Sequence, residues 1–159
     1  MCSSDLTSVI SMLGRISAPI SASPIPRVSS SACCPSAVAP PWLPIAGTTK
    51  GDPLEAARIA GVFGVKRTPD LLPFCHPIAV TGAELTVTPD RAAGTVTVVA
   101  KVRAKDRTGV EMEALTAAAV AALSLYDTSK AFDRSARIGG LRLLEKRGGK
   151  SGDYVADRA

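Results

Sequence analysis

The sequence predicts an α+β fold in which helices pack on an antiparallel sheet, and three observations predict it. Two apolar segments alternate with period two and are joined by a short turn, which is typical of a β-hairpin. A helix-start signal precedes the hairpin, and a long alanine-rich segment without Gly or Pro follows it. One hairpin with helices before and after it in the chain is typical of a layered α+β domain.

The first predicted helix begins at Asp52 and Pro53. An Asp side chain can accept the hydrogen bonds of an N-cap, and proline suits the first helical position. The predicted apolar face, which extends to about Lys66, is formed by Leu54, Ile59, Val62 and Phe63. Residues 68–77 contain three prolines, which predicts a segment that is largely loop.

The predicted hairpin comprises residues 84–88 and 95–103, with the turn sequence PDRAAG between them. Side chains two apart in a strand lie on the same side of it. We therefore expect one apolar side on each strand, formed by Leu85 and Val87 on the first and by Val96, Val98 and Val102 on the second. Residues 111 to about 132 form the strongest predicted helix. A short strand is predicted around residues 141–144, before a glycine-rich end.

The overall composition favours a globular domain that binds an anionic ligand. Charged residues make up 21% of the chain and apolar residues 46%, and the net charge is +5. A positive balance suits a nucleotide or a nucleic acid, but an aromatic content of only 4% disfavours a surface that stacks exposed bases. The longest apolar stretch, residues 117–126, is far shorter than the roughly 20 residues of a membrane span. A small polyphosphate is therefore the preferred ligand class.

The cysteine pattern predicts neither a disulfide framework nor a zinc site. The cysteines are Cys2, Cys33, Cys34 and Cys75, and the single histidine, His76, adjoins the last of them. No C-x-x-C pair is present. We expect a reduced cytoplasmic protein without a structural metal.

Residues 1–47 differ in composition from residues 48–159, which are the predicted folded domain. The first segment is rich in Ser, Pro and Ala, and Asp5 is its only acidic residue. This composition predicts a disordered tail, and a transit peptide is the main alternative.

Four short segments carry the clearest indication of function: KGD at Lys50, LPFCHP at Leu72, TGVEMEALTA at Thr108 and YDTSKA at Tyr126. Together with ARIAG and GGKSG, they resemble the cyclic pyranopterin monophosphate synthase family, or molybdenum cofactor biosynthesis protein C, over roughly residues 47–154. The resemblance implies a ferredoxin-like fold with the helices on one face of the sheet. It also implies a homohexamer, built as a trimer of dimers with active sites at subunit interfaces, and no nucleic-acid or membrane partner.

The resemblance further implies a lyase that converts (8S)-3′,8-cyclo-7,8-dihydroguanosine 5′-triphosphate to cyclic pyranopterin monophosphate and releases pyrophosphate. Such an enzyme must move protons near pH 7 and hold a triphosphate, which requires acid–base groups and cations. We expect no resident cofactor, although Mg²⁺ could accompany the triphosphate. No carboxylate pair in the sequence is typical of a dedicated metal site.

Asp127 and Lys130 are the predicted catalytic residues. They lie three apart in the long predicted helix, so their side chains are neighbours on one face. In an arbitrary helix such a pair is an exposed ion pair of little energetic weight. The resemblance implies instead that Lys130 transfers protons and that Asp127 is its partner.

The resemblance also implies a set of substrate-binding residues: Phe74, Cys75, His76, Glu111, Met112, Glu113, Lys50, Lys66 and Lys146. Cys75 is expected to be a wall of the pocket and His76 a ligand to the substrate. Glu111 and Glu113 could interact with the helix dipole, or one of them could accept hydrogen bonds from the guanidine-like edge of the base. Each lysine taken alone is typical of a solvated surface charge.

The resemblance stops before the KGD segment. Family members carry there a pattern near V-D-V-S-x-K-x-x-T-x-R, which supplies a strand and an arginine, and residues 1–47 contain nothing similar. We hypothesise that these residues are read in a shifted frame; a divergent tail is the alternative. The chain as written would then lack one strand and could be an inactive remnant. A basic nucleotide- or RNA-binding module is the other alternative, disfavoured by the low aromatic content.

Overall fold

The computed structural model describes residues 7–17, 51–106, 108–148 and 152–157. Its elements in chain order are β1 (Thr7–Ser17), α1 (Pro53–Leu71), β2 (Val80–Asp90), β3 (Thr95–Lys105), α2 (Glu111–Ser129), β4 (Arg137–Lys146) and β5 (Tyr154–Val155). The strands form one sheet in the order β2-β3-β1-β4-β5, and all neighbours pair antiparallel. The first six elements follow the β-α-β-β-α-β order of the ferredoxin-like motif. The structure therefore confirms the predicted fold class.

The N-terminal segment contributes a strand that the sequence analysis did not expect. Thr7–Ser17 pairs with β3 along its whole length and with β4 on its other side. This stretch is rich in Val and Ile and has no proline, which favours a strand, and two partner strands satisfy its backbone groups. The structure thus differs here from the expectations of disorder for this stretch and of a missing strand. Residues 18–50, including Lys50 and the predicted boundary near residue 47, lie outside the described residues.

Helix α1 begins as predicted and ends later than predicted. The Asp52 Oδ1 atom accepts from the backbone N–H of Leu54 at 2.8 Å and of Glu55 at 3.4 Å. The helix runs through Pro69 to Leu71, so residues 68–71 are not the predicted loop. Pro69 has no backbone N–H, so the helix lacks one hydrogen bond there. The Thr68 hydroxyl donates to the Gly64 carbonyl at 2.9 Å and helps to stabilise the last turns of α1.

The two helices approach closely because small residues lie between them. A Cβ atom on Gly61 would lie 3.1 Å from the Ala117 carbonyl oxygen, and one on Gly64 would lie 3.1 Å from the Thr116 carbonyl oxygen. Small residues therefore form the core-facing side of α1, where larger ones would not fit. The predicted apolar face is accordingly half wrong: Leu54 and Val62 pack against the core, whereas Ile59 and Phe63 are 58% and 60% exposed.

The hairpin and its buried side agree with the prediction. All five apolar residues expected on shared sides of the two strands are buried: Leu85, Val87, Val96, Val98 and Val102. Helix α2 covers this side with a row of buried alanines, and it ends at Ser129, close to the predicted end. Strand β4 includes the predicted residues 141–144 and is longer.

The antiparallel helices give the domain two distinct ends. Gly61 lies against Ala121 and Gly64 against Thr116, so α1 and α2 run in opposite directions. The end that contains the start of α2, the end of α1 and the start of β2 is called the Glu113 end. The opposite end, with the last turn of α2 and the start of α1, is called the Asp127 end. Among the described residues, no helix is both long and apolar enough to cross a membrane.

Candidate active site

The Asp127 end carries the predicted catalytic pair. Lys130 Nζ lies 2.6 Å from Asp127 Oδ1, and the two side chains are 53% and 55% exposed. The Lys130 backbone N–H donates to the Tyr126 carbonyl at 2.9 Å, which continues the helical bonding to this residue. A pair this exposed is worth at most about 1 kcal/mol to folding. Its geometry therefore leaves both groups accessible to a ligand.

The turn after α2 is fixed by hydrogen bonds and is rich in cations. Asp133 Oδ1 accepts from the Ser135 backbone N–H at 2.7 Å and from its hydroxyl at 2.6 Å. Two arginines of this region, Arg134 and Arg137, are exposed. Neither arginine is among the predicted site residues, although their positions just after the YDTSKA segment were a usable signal. The Asp127 end can attract an anionic ligand.

Glu113 lies in the first turn of α2 and is almost completely buried, with 3% of its surface exposed. Burial raises the pKa of its carboxyl group above the usual range. A hydrogen bond from its own backbone N–H and the charge of His76 oppose that rise in pKa. The Glu113 end thus holds a carboxyl group that accepts a proton more readily than a solvated one, with His76 near enough to influence it.

A cavity of about 560 Å³ opens beside Glu113. It lies between the second half of α1, the segment before β2 and the start of β2, and its walls include Val65, Ile78 and Gly82. Lys66 and Glu113 are the two charged residues among those that line it. Apolar walls with a few polar groups are typical of small-molecule sites. One carboxyl group and one ammonium group suit a flat heterocycle that carries hydrogen-bond donors and an anionic substituent.

The segment between α1 and β2 presents three further predicted site residues. Phe74 is 99% exposed, Cys75 is half-buried and His76 is exposed. Met112, at the start of α2, is 40% exposed. In the described structure the cavity lining does not include these four residues, so the prediction that Cys75 is a wall of the pocket is not met within one copy of the chain.

Glu111 and Lys146 form a second ion pair at the Glu113 end. Lys146 Nζ lies 2.6 Å from Glu111 Oε1, and the lysine side chain is only 7% exposed, against 38% for the glutamate. Lys146 is thus not the solvated surface charge that a lone lysine would suggest. Among the described residues, no group of three or more His, Cys, Asp or Glu side chains is arranged to hold a metal ion.

One copy of the chain does not bring all predicted site residues together. Glu113 and Asp127 are both in α2, and an offset of 14 residues (127 minus 113) corresponds to about 21 Å at about 1.5 Å per residue. Lys66, His76 and Glu113 lie at one end, whereas Asp127 and Lys130 lie at the other. Lys50 is outside the described residues.

Comparison with known proteins gives one consistent result. The MoaC family model matches residues 42–149 of this chain. The cyclic pyranopterin monophosphate synthase of Parvibaculum lavamentivorans is 56% identical over 110 residues, which are 69% of each chain. The enzymes of the same name from Geobacter sulfurreducens and Roseiflexus sp. are 57% identical over 107 residues and 54% identical over 108 residues, with 67% and 68% of both chains covered.

Proposed function

We propose that this chain, which belongs to the MoaC family, is a lyase of molybdenum cofactor biosynthesis. Its reaction would convert (8S)-3′,8-cyclo-7,8-dihydroguanosine 5′-triphosphate to cyclic pyranopterin monophosphate and release pyrophosphate. The observation that carries the proposal is the similarity to cyclic pyranopterin monophosphate synthases, at more than half of the aligned residues. The matched residues 42–149 contain both ion pairs and the cavity described above.

The active site of this proposal is formed between two copies of the chain. Groups that act on one bond must lie within about 3.5 Å of the reacting atoms. Glu113 and Asp127 are about 21 Å apart along α2, so Glu113 and the Asp127–Lys130 pair of the same copy cannot act on one bond. We propose that the Glu113 end of one copy faces the Asp127 end of another, within a homohexamer built as a trimer of dimers.

At the Glu113 end, the cavity would hold the base of the substrate. The carboxyl group of Glu113 would accept hydrogen bonds from the guanidine-like edge, and burial would strengthen those bonds by excluding water. The Lys66 ammonium group at the cavity would attract the anionic part of the substrate. Phe74, Cys75 and His76 would project from the segment before β2 towards the neighbouring copy, which would account for the full exposure of Phe74 in one copy.

At the Asp127 end, Lys130 would transfer protons during ring opening and ring closure. Asp127 Oδ1, at 2.6 Å, would hold the Lys130 ammonium group in place. Cations near the triphosphate would stabilise the charge that develops on the departing pyrophosphate. Lys50 would belong to this group, and the exposed Arg134 and Arg137 would add to the local positive field.

The proposal includes no resident cofactor, and Mg²⁺ would enter only as a counter-ion of the triphosphate. We also propose that the reaction takes place in the cytoplasm.

Mixing two inactive variants tests the function and the shared site together. We expect Lys130→Ala to lower pyrophosphate release from the cyclo-nucleotide by about 100-fold or more, as is typical of a lost acid–base group. Glu113→Ala should lower it by about the same factor, because the guanidine-like edge of the base loses its buried hydrogen-bond acceptor. Co-expression of the two variants should restore roughly one quarter of the parent rate, because random association leaves one site in four with both ends intact. Arg91→Ala, which removes an exposed charge in the β2–β3 turn, is the matched control and should stay active.

The outcomes separate the two parts of the proposal. A parent chain that does not turn over the cyclo-nucleotide would contradict the function. An active parent whose co-expressed variants remain dead would contradict only the site shared between copies.

A further inference from the structure

The structure assigns Lys146 and Glu111 to a positioning pair that fixes the first turn of α2, and not to the groups that contact the substrate. This inference rests on the proposed function, because it concerns the same site. Lys146 and Glu111 are both among the substrate-binding residues that the family resemblance implies. The pair would act through Met112 and Glu113, which follow Glu111 in the same helical turn.

Lys146 is enclosed in a way that keeps its ammonium group from a bound triphosphate. Its side chain is 7% exposed, and its Nζ atom lies 2.6 Å from Glu111 Oε1. Its backbone lies at the end of β4 between two strands, in register with Ile10 of β1 and Tyr154 of β5. The groups that enclose Lys146, Glu111 among them, would have to move before a phosphate could reach Nζ.

The surroundings of the pair explain why Glu111 needs a partner. Val110 is the N-cap of α2 and makes no side-chain capping hydrogen bond. A cation near the positive end of a helix is unfavourable unless a carboxylate compensates it. Glu111 provides that carboxylate, and Lys146 in return ties the start of α2 to the end of β4.

Gly109 provides the space in which the pair closes. A Cβ atom at this position would lie 3.3 Å from Glu111 Oε1 and 3.6 Å from Lys146 Cε. The segment before α2 therefore packs directly on both members of the pair, and a side chain there would crowd them.

The pair also separates the tasks of the two glutamates in the first turn. Glu111 is engaged with Lys146, whereas Glu113 is buried and lines the cavity. Of the two, Glu113 is therefore the carboxyl group that faces a ligand. The direction in which the Glu113 side chain points depends on the position of the first turn of α2, and the Glu111–Lys146 pair fixes that turn.

The test measures the affinity of the full chain for guanosine 5′-triphosphate and guanosine 5′-monophosphate by calorimetry. Lys146→Met, Glu111→Gln and the double variant are compared with the parent. If the pair positions the first turn of α2 and does not contact the phosphates, each single change should weaken the binding of both nucleotides by the same factor, about fivefold or more. Because residues in contact are coupled, the effects of the two changes should not add. The double variant should bind no more weakly than the weaker single variant.

Arg147→Met is the matched control, because Arg147 belongs to a neighbouring but exposed ion pair with Glu145. It should leave both affinities unchanged. If Lys146→Met weakens the triphosphate alone, Lys146 is a phosphate ligand and the inference is wrong. Additive losses would also overturn it, as would a lower unfolding temperature with unchanged affinities.

Two further measurements keep the inference testable. Should Lys146→Met fail to fold, Lys146→Arg keeps the charge and should retain the parent's ratio of triphosphate to monophosphate affinity; a lower ratio would contradict positioning. If the parent binds neither nucleotide, the proposed function is still tested by turnover of the cyclo-nucleotide. Thermal unfolding of the single and double variants then still decides whether Lys146 and Glu111 act as one unit, and independent effects would overturn the pair.

Discussion

The two ends of α2 place acidic side chains in opposite environments. Glu113 at the start is 3% exposed and lines a cavity, whereas Asp127 near the end is 55% exposed and is paired with Lys130. In the first case burial governs the carboxyl group and raises its pKa. In the second case the carboxylate of Asp127 is paired, in contact with solvent, with the ammonium group of Lys130. The comparison shows how one helix can present a proton-accepting pocket and a cationic surface without mutual interference, because about 21 Å separates them.

Helix α2 packs closely against α1, and bulk in that contact should have the largest effect on stability. We expect Gly61→Ala to lower the free energy of unfolding by about 1–3 kcal/mol, the usual cost of overpacking, because its Cβ atom would lie 3.1 Å from the Ala117 carbonyl oxygen and 3.3 Å from Ala121 Cβ in α2. Denaturant unfolding measures this loss. Gly139→Ala is the control, since nothing lies within 4 Å of its Cβ position. Equal stability of the two variants would show that the helices can move apart freely.

At the Asp127 end, a second carboxylate, that of Asp52, caps helix α1. Asp52→Ala should lower the free energy of unfolding by about 1 kcal/mol, because α1 loses the acceptor of its N-cap hydrogen bonds. Asp70→Ala, which removes an exposed side chain paired with Arg67, should change it by less than about 0.5 kcal/mol. Thermal or urea unfolding distinguishes the two. A larger loss for Asp70→Ala would contradict the assignment of the cap.

At the Glu113 end, the raised pKa predicts a dependence of stability on pH. The folded state binds the Glu113 proton more tightly than the unfolded state, so this group favours folding at pH values below its unfolded pKa. That advantage is lost as pH rises through the folded pKa. Glu113→Gln should therefore be more stable than the parent at neutral pH, and the difference should shrink towards acidic pH. Glu84→Gln, at an exposed carboxylate, should show no such trend; parallel curves for Glu113→Gln and the parent would refute the prediction.

Local signals in the sequence were sufficient for most of the folded elements. The Asp52–Pro53 start of α1, the hairpin with its buried valines and the extent of α2 depend on residues close in the chain, so propensity and period predicted them. The Asp127–Lys130 contact is of the same kind, because a spacing of three in a helix places two side chains together.

Other features depend on partners distant in the chain. Nothing in residues 7–17 alone shows that they would lie between β3 and β4, since a strand is stabilised by neighbours it meets only in the fold. The exposure of Ile59 and Phe63 follows from the small residues that let α1 approach α2, and periodicity alone cannot show which of two faces is covered.

By itself the sequence determined the family, the order of the helices and strands after residue 50, and the residue types available for chemistry. These depend on short segments and local periodicity. Only the tertiary structure decided that Lys146 is buried against Glu111 and that Glu113 lines a cavity with Lys66. Burial and distance result from how distant segments pack, and a list of residues does not contain that information.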